Sequence, residues 1–235
     1  MRGNDVSPLK YLLMIVISLA AVGVLLLIVF FGIKLFYHED ISYYENKCAE
    51  YAAQNLENEY VSIVFIGDGN VEYYPLEEVY YNDAVNRGIK NDTTLGVENR
   101  LQTSVFNLKP GAVVLMVGAR DIETPRSINA IMKTYKDIVY SIFDETPTTD
   151  IYVMSVLPQN KDYEKANVDN NMKRIKELNS KLEAFCDTCA AVYLNLYDLL
   201  IDESGYLSKE YSDDGFHLNQ KGYEVWTNLM KNGNQ

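Results

Sequence analysis

The stretch richest in chemistry is Asp213-Asp214-Gly215-Phe216-His217-Leu218-Asn219, near the C-terminus. An Asp three residues before a His can orient the imidazole and steady its cation, as a general base requires. Three further segments carry Gly beside polar residues. They are Gly67-Asp68-Gly69-Asn70, then Asn86-Arg87-Gly88-Ile89 followed by Asn91-Asp92-Thr93-Thr94, and Val117-Gly118-Ala119-Arg120-Asp121. Each suits a strand end, where backbone N–H groups and short side chains converge on a ligand. No Ser, Thr or Cys adjoins Gly69, so this segment holds no nucleophile. Arg120 reads equally as a ligand-binding cation and as half of a salt bridge to a nearby carboxylate.

The elements that must position these residues follow from apolar patterning. Short apolar runs at Ser62–Ile66, Ala112–Val117, Ile151–Val156 and Ala191–Leu196 read as strands buried on both faces, and a shorter strand ends near Val85. Between them, Ile128, Ile131, Met132, Tyr135, Ile138, Val139 and Ile142 recur at helical spacing, as do Met172, Ile175, Leu178, Leu182 and Phe185. Strands alternating with amphipathic helices predict an α/β/α sandwich around a parallel sheet. Most of the 19 tyrosines, Tyr73, Tyr74, Tyr80 and Tyr81 among the candidates, are read as packing residues.

With those elements in place, the four segments resemble, in order, the blocks of the SGNH hydrolases, also called GDSL hydrolases, over roughly residues 60–230. The resemblance implies a flavodoxin-like sandwich with a five-stranded parallel sheet, and acyl-ester hydrolysis as the ancestral chemistry. It places the nucleophile position at Gly69 beside Asp68, an oxyanion-hole glycine at Gly88, the oxyanion-hole asparagine at Arg120, and the acid and base at Asp214 and His217. Two of these positions depart from the pattern. Glycine cannot form an acyl-enzyme, and Arg120 is longer than asparagine and charged. The expectation is a catalytically impaired protein in which Asp214 and His217 are a relic dyad. An active esterase that uses a His217-activated water, or a natural serine exchanged at position 69, is the alternative.

Residues 11–33, YLLMIVISLAAVGVLLLIVFFGI, contain no charge. As a helix rising about 1.5 Å per residue they would cross a hydrocarbon core of about 30 Å, and the run is longer than a signal peptide's apolar region. Arg2 and Lys10 before the span, and His38, Glu39 and Asp40 after it, favour a cytoplasmic N-terminus. The sequence predicts a cytoplasmic segment 1–10, a transmembrane helix 11–33, a helical stalk 34–57 and an extracellular hydrolase-like domain 58–235, with the bilayer as one partner.

Composition narrows the remaining choices. The 235 residues carry 21 Lys and Arg against 33 Asp and Glu, a net charge of −12. Residues 1–34 hold a net +2, which leaves −14 to the rest. An acidic domain is a poor match for nucleic acid. No Cys/His set has zinc-ligand spacing, so no metal and no cofactor is expected. Cys186 and Cys189 form a C-x-x-C pair at a helix end, most simply a local disulfide outside the cell. A glycan or an acylated small molecule is the expected ligand.

Overall fold

The computed structural model describes residues 8–55, 61–80, 83–164 and 167–233, with side chains described only in part over residues 8–39. Tyr81 and the last residues of the expected stalk, 56 and 57, lie outside the described residues. The chain divides into two units, Met1–Asn46 and Lys47–Gln235. Helix α1, Pro8–Gln54, runs from the first into the second. Among the described residues no helix is long and apolar enough to cross a membrane. In that apolar span the longest run of described side chains is Ala21–Val29, and its large members, Val22 and Val24–Val29, are exposed.

The second unit is built on five parallel strands. In chain order its elements are β1 (Ile63–Gly67), α2 (Gly69–Glu72), α3 (Leu76–Tyr80), β2 (Ala84–Gly88), α4 (Thr94–Asn99), a π-helical turn (Gln102–Phe106), β3 (Ala112–Met116) and α5 (Ala119–Glu123). There follow α6 (Ile128–Glu145), β4 (Asp150–Met154), α7 (Val168–Cys186), β5 (Val192–Leu194), α8 (Tyr197–Leu200) and α9 (Gln220–Asn232). The strand order is β2-β1-β3-β4-β5, with Gly67 level with both Gly88 and Met116. The connection reverses direction across the sheet at β1 and β3. Their carboxyl ends therefore flank a crevice, the place where open α/β sheets bind ligands.

Alternation along each strand divides the core in two. Val64, Ile66, Val113, Leu115, Ile151 and Val153 point to one face and pack against the apolar stripes of α6 and α7. Phe65, Val114, Met116, Met154 and Leu194 point to the other, against Tyr74, Tyr223 and Trp226. Tyr74 stacks on Trp226 with ring centroids 4.6 Å apart. Side-chain caps fix where helices begin: Ser127 accepts from the Ala130 N–H, and Asn219 from that of Gly222.

Three expectations are corrected. The second strand does not end near Val85 but continues to Gly88, because its backbone stays in register with β1. The last strand is shorter than Ala191–Leu196, pairing with β4 only over Val192–Leu194. Cys186 and Cys189 carry free thiols. Cys186 is buried in the core at the end of α7, and burial pushes its thiol up to about 12. The neighbouring Cys189, Asp187 and Glu183 push in the same direction.

Candidate active site

The site is assembled at the carboxyl ends of β1 and β3. Asp68 follows β1 and caps α2, its Oδ1 accepting the Asn70 N–H at 3.1 Å. Gly69 is therefore the first residue of a short helix and is buried. A Cβ placed on Gly69 would lie 3.1 Å from His217 Nε2 and 3.6 Å from the Lys90 Cα. The imidazole thus faces a position where this chain has no side chain.

His217 is held from three directions. Its Nδ1 lies 2.7 Å from Asp214 Oδ2, while Asp214 Oδ1 accepts the backbone N–H groups of Phe216 and His217 at 2.8 and 2.7 Å. Partial burial raises the Asp214 pKa, but the hydrogen bonds from His217 outweigh it and hold the carboxyl below its usual range. The Leu218 N–H donates to Asn70 Oδ1 at 2.9 Å, which ties the His-bearing loop to α2. The rings of Tyr73 and Phe216 meet the imidazole edge-on at 5.3 and 5.0 Å between centroids. Asp214, the His217 ring and the Gly69 position therefore follow one another in a line, and position 69 carries no side chain.

Three donors around position 69 make bonds within the protein. Gly88 was expected to supply an oxyanion donor, and in this structure its N–H donates to Asn86 Oδ1 at 2.8 Å. A Cβ at Gly88 would collide with the backbone of Glu72, so glycine is required there by close approach. The Lys90 N–H donates to Glu72 Oε2 at 2.5 Å. Arg120, on α5, donates through Nη1 to Glu123 Oε2 at 2.9 Å, the salt-bridge alternative, with its side chain 41% exposed. Partial burial raises the pKa of the Tyr163 hydroxyl, the charges of Glu123 and Asp214 add to that effect and Arg120 opposes it.

Beneath this surface lies a buried polar frame. Arg100 donates to Asp92 Oδ2 at 2.9 Å, to the Arg87 carbonyl at 2.7 Å and to the Gly67 carbonyl at 3.0 Å, joining the ends of β1 and β2. Asp121 accepts from the Thr94 N–H and Oγ1 at 2.8 and 2.9 Å and from Arg126, joining the segment after β2 to α5. Asp68 is buried between them, and desolvation drives its carboxyl up to about 7, with Asp92 and Asp121 adding to the effect and hydrogen bonds from the Asn70 and Ala119 backbones opposing it.

Sequence reasoning missed the contribution of α1. Tyr51 is buried and donates through its hydroxyl to the Gly88 carbonyl at 2.5 Å. The guanidinium of Arg87 sits over the Tyr51 ring at 4.7 Å and donates to Gln54 Oε1 and Asn55 Oδ1. The abundance of polar residues in the expected stalk gave no sign that its end is core. Asn70 was also passed over, though its place beside Gly69 was visible.

A family model described as GDSL-like lipase/acylhydrolase matches residues 67–225, which include Asp68, Gly69, Gly88, Arg120, Asp214 and His217. The chain belongs to the GDSL-like lipase/acylhydrolase family. A GDSL-like fold is also shared with solved structures. A Streptococcus pneumonia structure described as a platelet activating factor is 27% identical, with TM-score 0.80 over 85% of this chain and 96% of its own. An acylhydrolase from Bacteroides fragilis is 23% identical, with TM-score 0.71 over 77% and 92%. A GDSL-like lipase from Bacteroides thetaiotaomicron is 22% identical, with TM-score 0.72 over 78% and 95%. No curated protein sequence matches the chain.

Proposed function

We propose that this GDSL-family domain binds a glycan or an acylated ligand without turning it over efficiently. The observation that carries this reading is the 3.1 Å gap between His217 Nε2 and the point where a Gly69 Cβ would stand. A base is present and oriented, but no atom at position 69 can attack a carbonyl. The engaged Gly88, Lys90 and Arg120 donors point the same way, since losing one oxyanion donor alone costs about 2.7–4 kcal/mol. Removing a triad member leaves acceleration of about 10³–10⁴ over water, from binding and the remaining donors. The test compares the unmodified protein with His217→Ala on acetylated glycans and small acetyl esters. Equal, near-background rates support the reading.

A second reading has one observation in its favour. Asp214 still orients His217, as a base acting on water would need. In that case turnover would be measurable and lost in His217→Ala.

We further propose that α1 anchors the domain to a membrane, with the N-terminus cytoplasmic and the acidic domain outside. The support is the uncharged run 11–33, the exposure of its described side chains, and the placement of Arg2 and Lys10 ahead of it. Cell fractionation tests this: recovery in the detergent-extracted membrane fraction is expected, and recovery in the soluble fraction without detergent would count against it.

A further inference from the structure

Beside the dyad the surface opens into a pocket of about 400 Å³, lined by Asn160, Asp162, Tyr163, Lys209, Asp213 and Asp214, together with Ser212 and Gly215. The volume falls toward the lower end of small-molecule sites, roughly 300–1,000 Å³. Its walls are preformed. Asn160 donates through Nδ2 to the Leu207 carbonyl at 2.7 Å, and its N–H donates to the Gly215 carbonyl at 2.9 Å. Gly215, at φ +83°, brings the His-bearing loop so close that a Cβ there would stand 3.1 Å from the Asn160 Cβ.

The lining chemistry discriminates between ligand classes. No Val, Leu, Ile, Met or Phe lines the pocket, so an acyl chain would find no aliphatic wall there. Asp162, Asp213 and Asp214 disfavour an anion. Lys209 lies 2.6 Å from Asp162 and Asp214 is committed to His217, so the site is also no cage for a cation. What remains is a mixture of donor and acceptor groups, suited to hydroxyls that can do both.

A line of rings borders these polar groups. Tyr163 stacks on Phe216 at 5.3 Å with 25° between planes. Phe216 leads to His217, and His217 to Tyr73, which is half exposed. Such flat faces accept the C–H side of a sugar ring while its hydroxyls reach the polar rim.

We propose that this pocket and its aromatic border form a subsite for a neutral sugar unit of a glycan, and that the cleft grips a saccharide and not an acyl chain. The proposal rests on reading the domain as a binding protein, and it deepens that reading by choosing between the two ligand classes.

The test uses the full chain in lipid nanodiscs, titrated with penta-N-acetylchitopentaose, cellopentaose and maltopentaose and followed by saturation-transfer NMR and calorimetry. At least one saccharide should bind, and decanoate should not displace it. Tyr163→Ala should weaken that binding by about tenfold, the loss of one stacking contact of about 1–1.5 kcal/mol. Asp213→Ala, an exposed change that leaves the core intact, should also weaken it, whereas Tyr163→Phe and the remote Leu199→Ala should not. Binding of none of the three saccharides, undiminished binding by Tyr163→Ala and Asp213→Ala, or displacement by decanoate would overturn the proposal. Because binding is read without chemistry, that failure would leave the account of Gly69 and turnover standing. Conversely, His217-dependent turnover would leave the sugar subsite standing.

Discussion

His217 directs Nε2 at Gly69 across a gap only as wide as a missing side chain, 3.1 Å from the point a Cβ would occupy. The other ring nitrogen keeps its carboxylate partner, Asp214, at 2.7 Å. The hydrogen bonds that orient the base, through Asn70 and the 214–217 loop, are all in place. On the proposed reading, what this arrangement lacks is a nucleophile at position 69.

Filling that gap should be tolerated. Gly69 is not among the glycines with positive φ, and replacing such a glycine by alanine can stabilise a chain by about 0.4–1 kcal/mol. The close His217 contact offsets part of that gain. Thermal unfolding of Gly69→Ala should therefore fall within about 1 kcal/mol of the parent. A loss of several kcal/mol would show that the ring and the backbone cannot accommodate a side chain.

Asp68 should make stability depend on pH in an unusual direction. Its folded-state pKa is raised to about 7 from a usual value of 3.8, so between those values the folded state holds a proton that the unfolded state has released. The contribution is complete below about pH 4 and is lost as pH rises through about 7. Asp68→Asn, uncharged at every pH, should be more stabilising relative to the parent at pH 8 than at pH 4. Denaturant midpoints at the two pH values measure this, and an equal difference at both would contradict it.

The buried pair Asp92–Arg100 should be costly to break. Both side chains are 2% exposed, and Arg100 also holds the Gly67 and Arg87 carbonyls. Asp92→Ala leaves a buried guanidinium without its counter-charge, a change of about 3–5 kcal/mol. Chemical denaturation reads the loss directly. A change below about 1 kcal/mol would show that water reaches Arg100.

Tyr51 carries the prediction that the end of α1 is part of the folded unit. Tyr51→Phe leaves the Gly88 carbonyl unsatisfied and should cost about 1–2 kcal/mol. Tyr51→Ala adds a cavity and should cost about 3–5 kcal/mol. If both changes were neutral, Tyr51 would be dispensable to the domain.

The sheet and its two long covering helices were legible in the sequence, because continuous apolar runs and helical stripes report burial directly. The stripe from Ile128 to Ile142 is the buried face of α6. The ends of elements were less legible. Asn86, Arg87 and Gly88 read as loop by residue type, yet they complete β2, in register with Phe65, Ile66 and Gly67 of β1. At the site, the family resemblance of the 213–219 block pointed to Asp214 and His217, which the structure places in contact. The bond from the Gly88 N–H to Asn86 was not visible, because it depends on where the Asn86 side chain turns. Nor was the Arg120–Glu123 pair singled out, although their spacing places them on one side of a helical turn.

The most direct measurement is burst-phase kinetics with an activated acetyl ester on Gly69→Ser and on Gly69→Ser with Arg120→Asn. A serine at position 69 puts a hydroxyl within reach of His217 Nε2, and asparagine frees the cleft of the Arg120–Glu123 pair and returns a neutral donor. Nucleophile and oxyanion donors act as a unit, so the double variant should exceed the single one by about tenfold or more and show an acyl-enzyme burst that disappears in His217→Ala. Strong His217-dependent turnover by the unmodified protein, or no burst in a correctly folded double variant, would contradict the account.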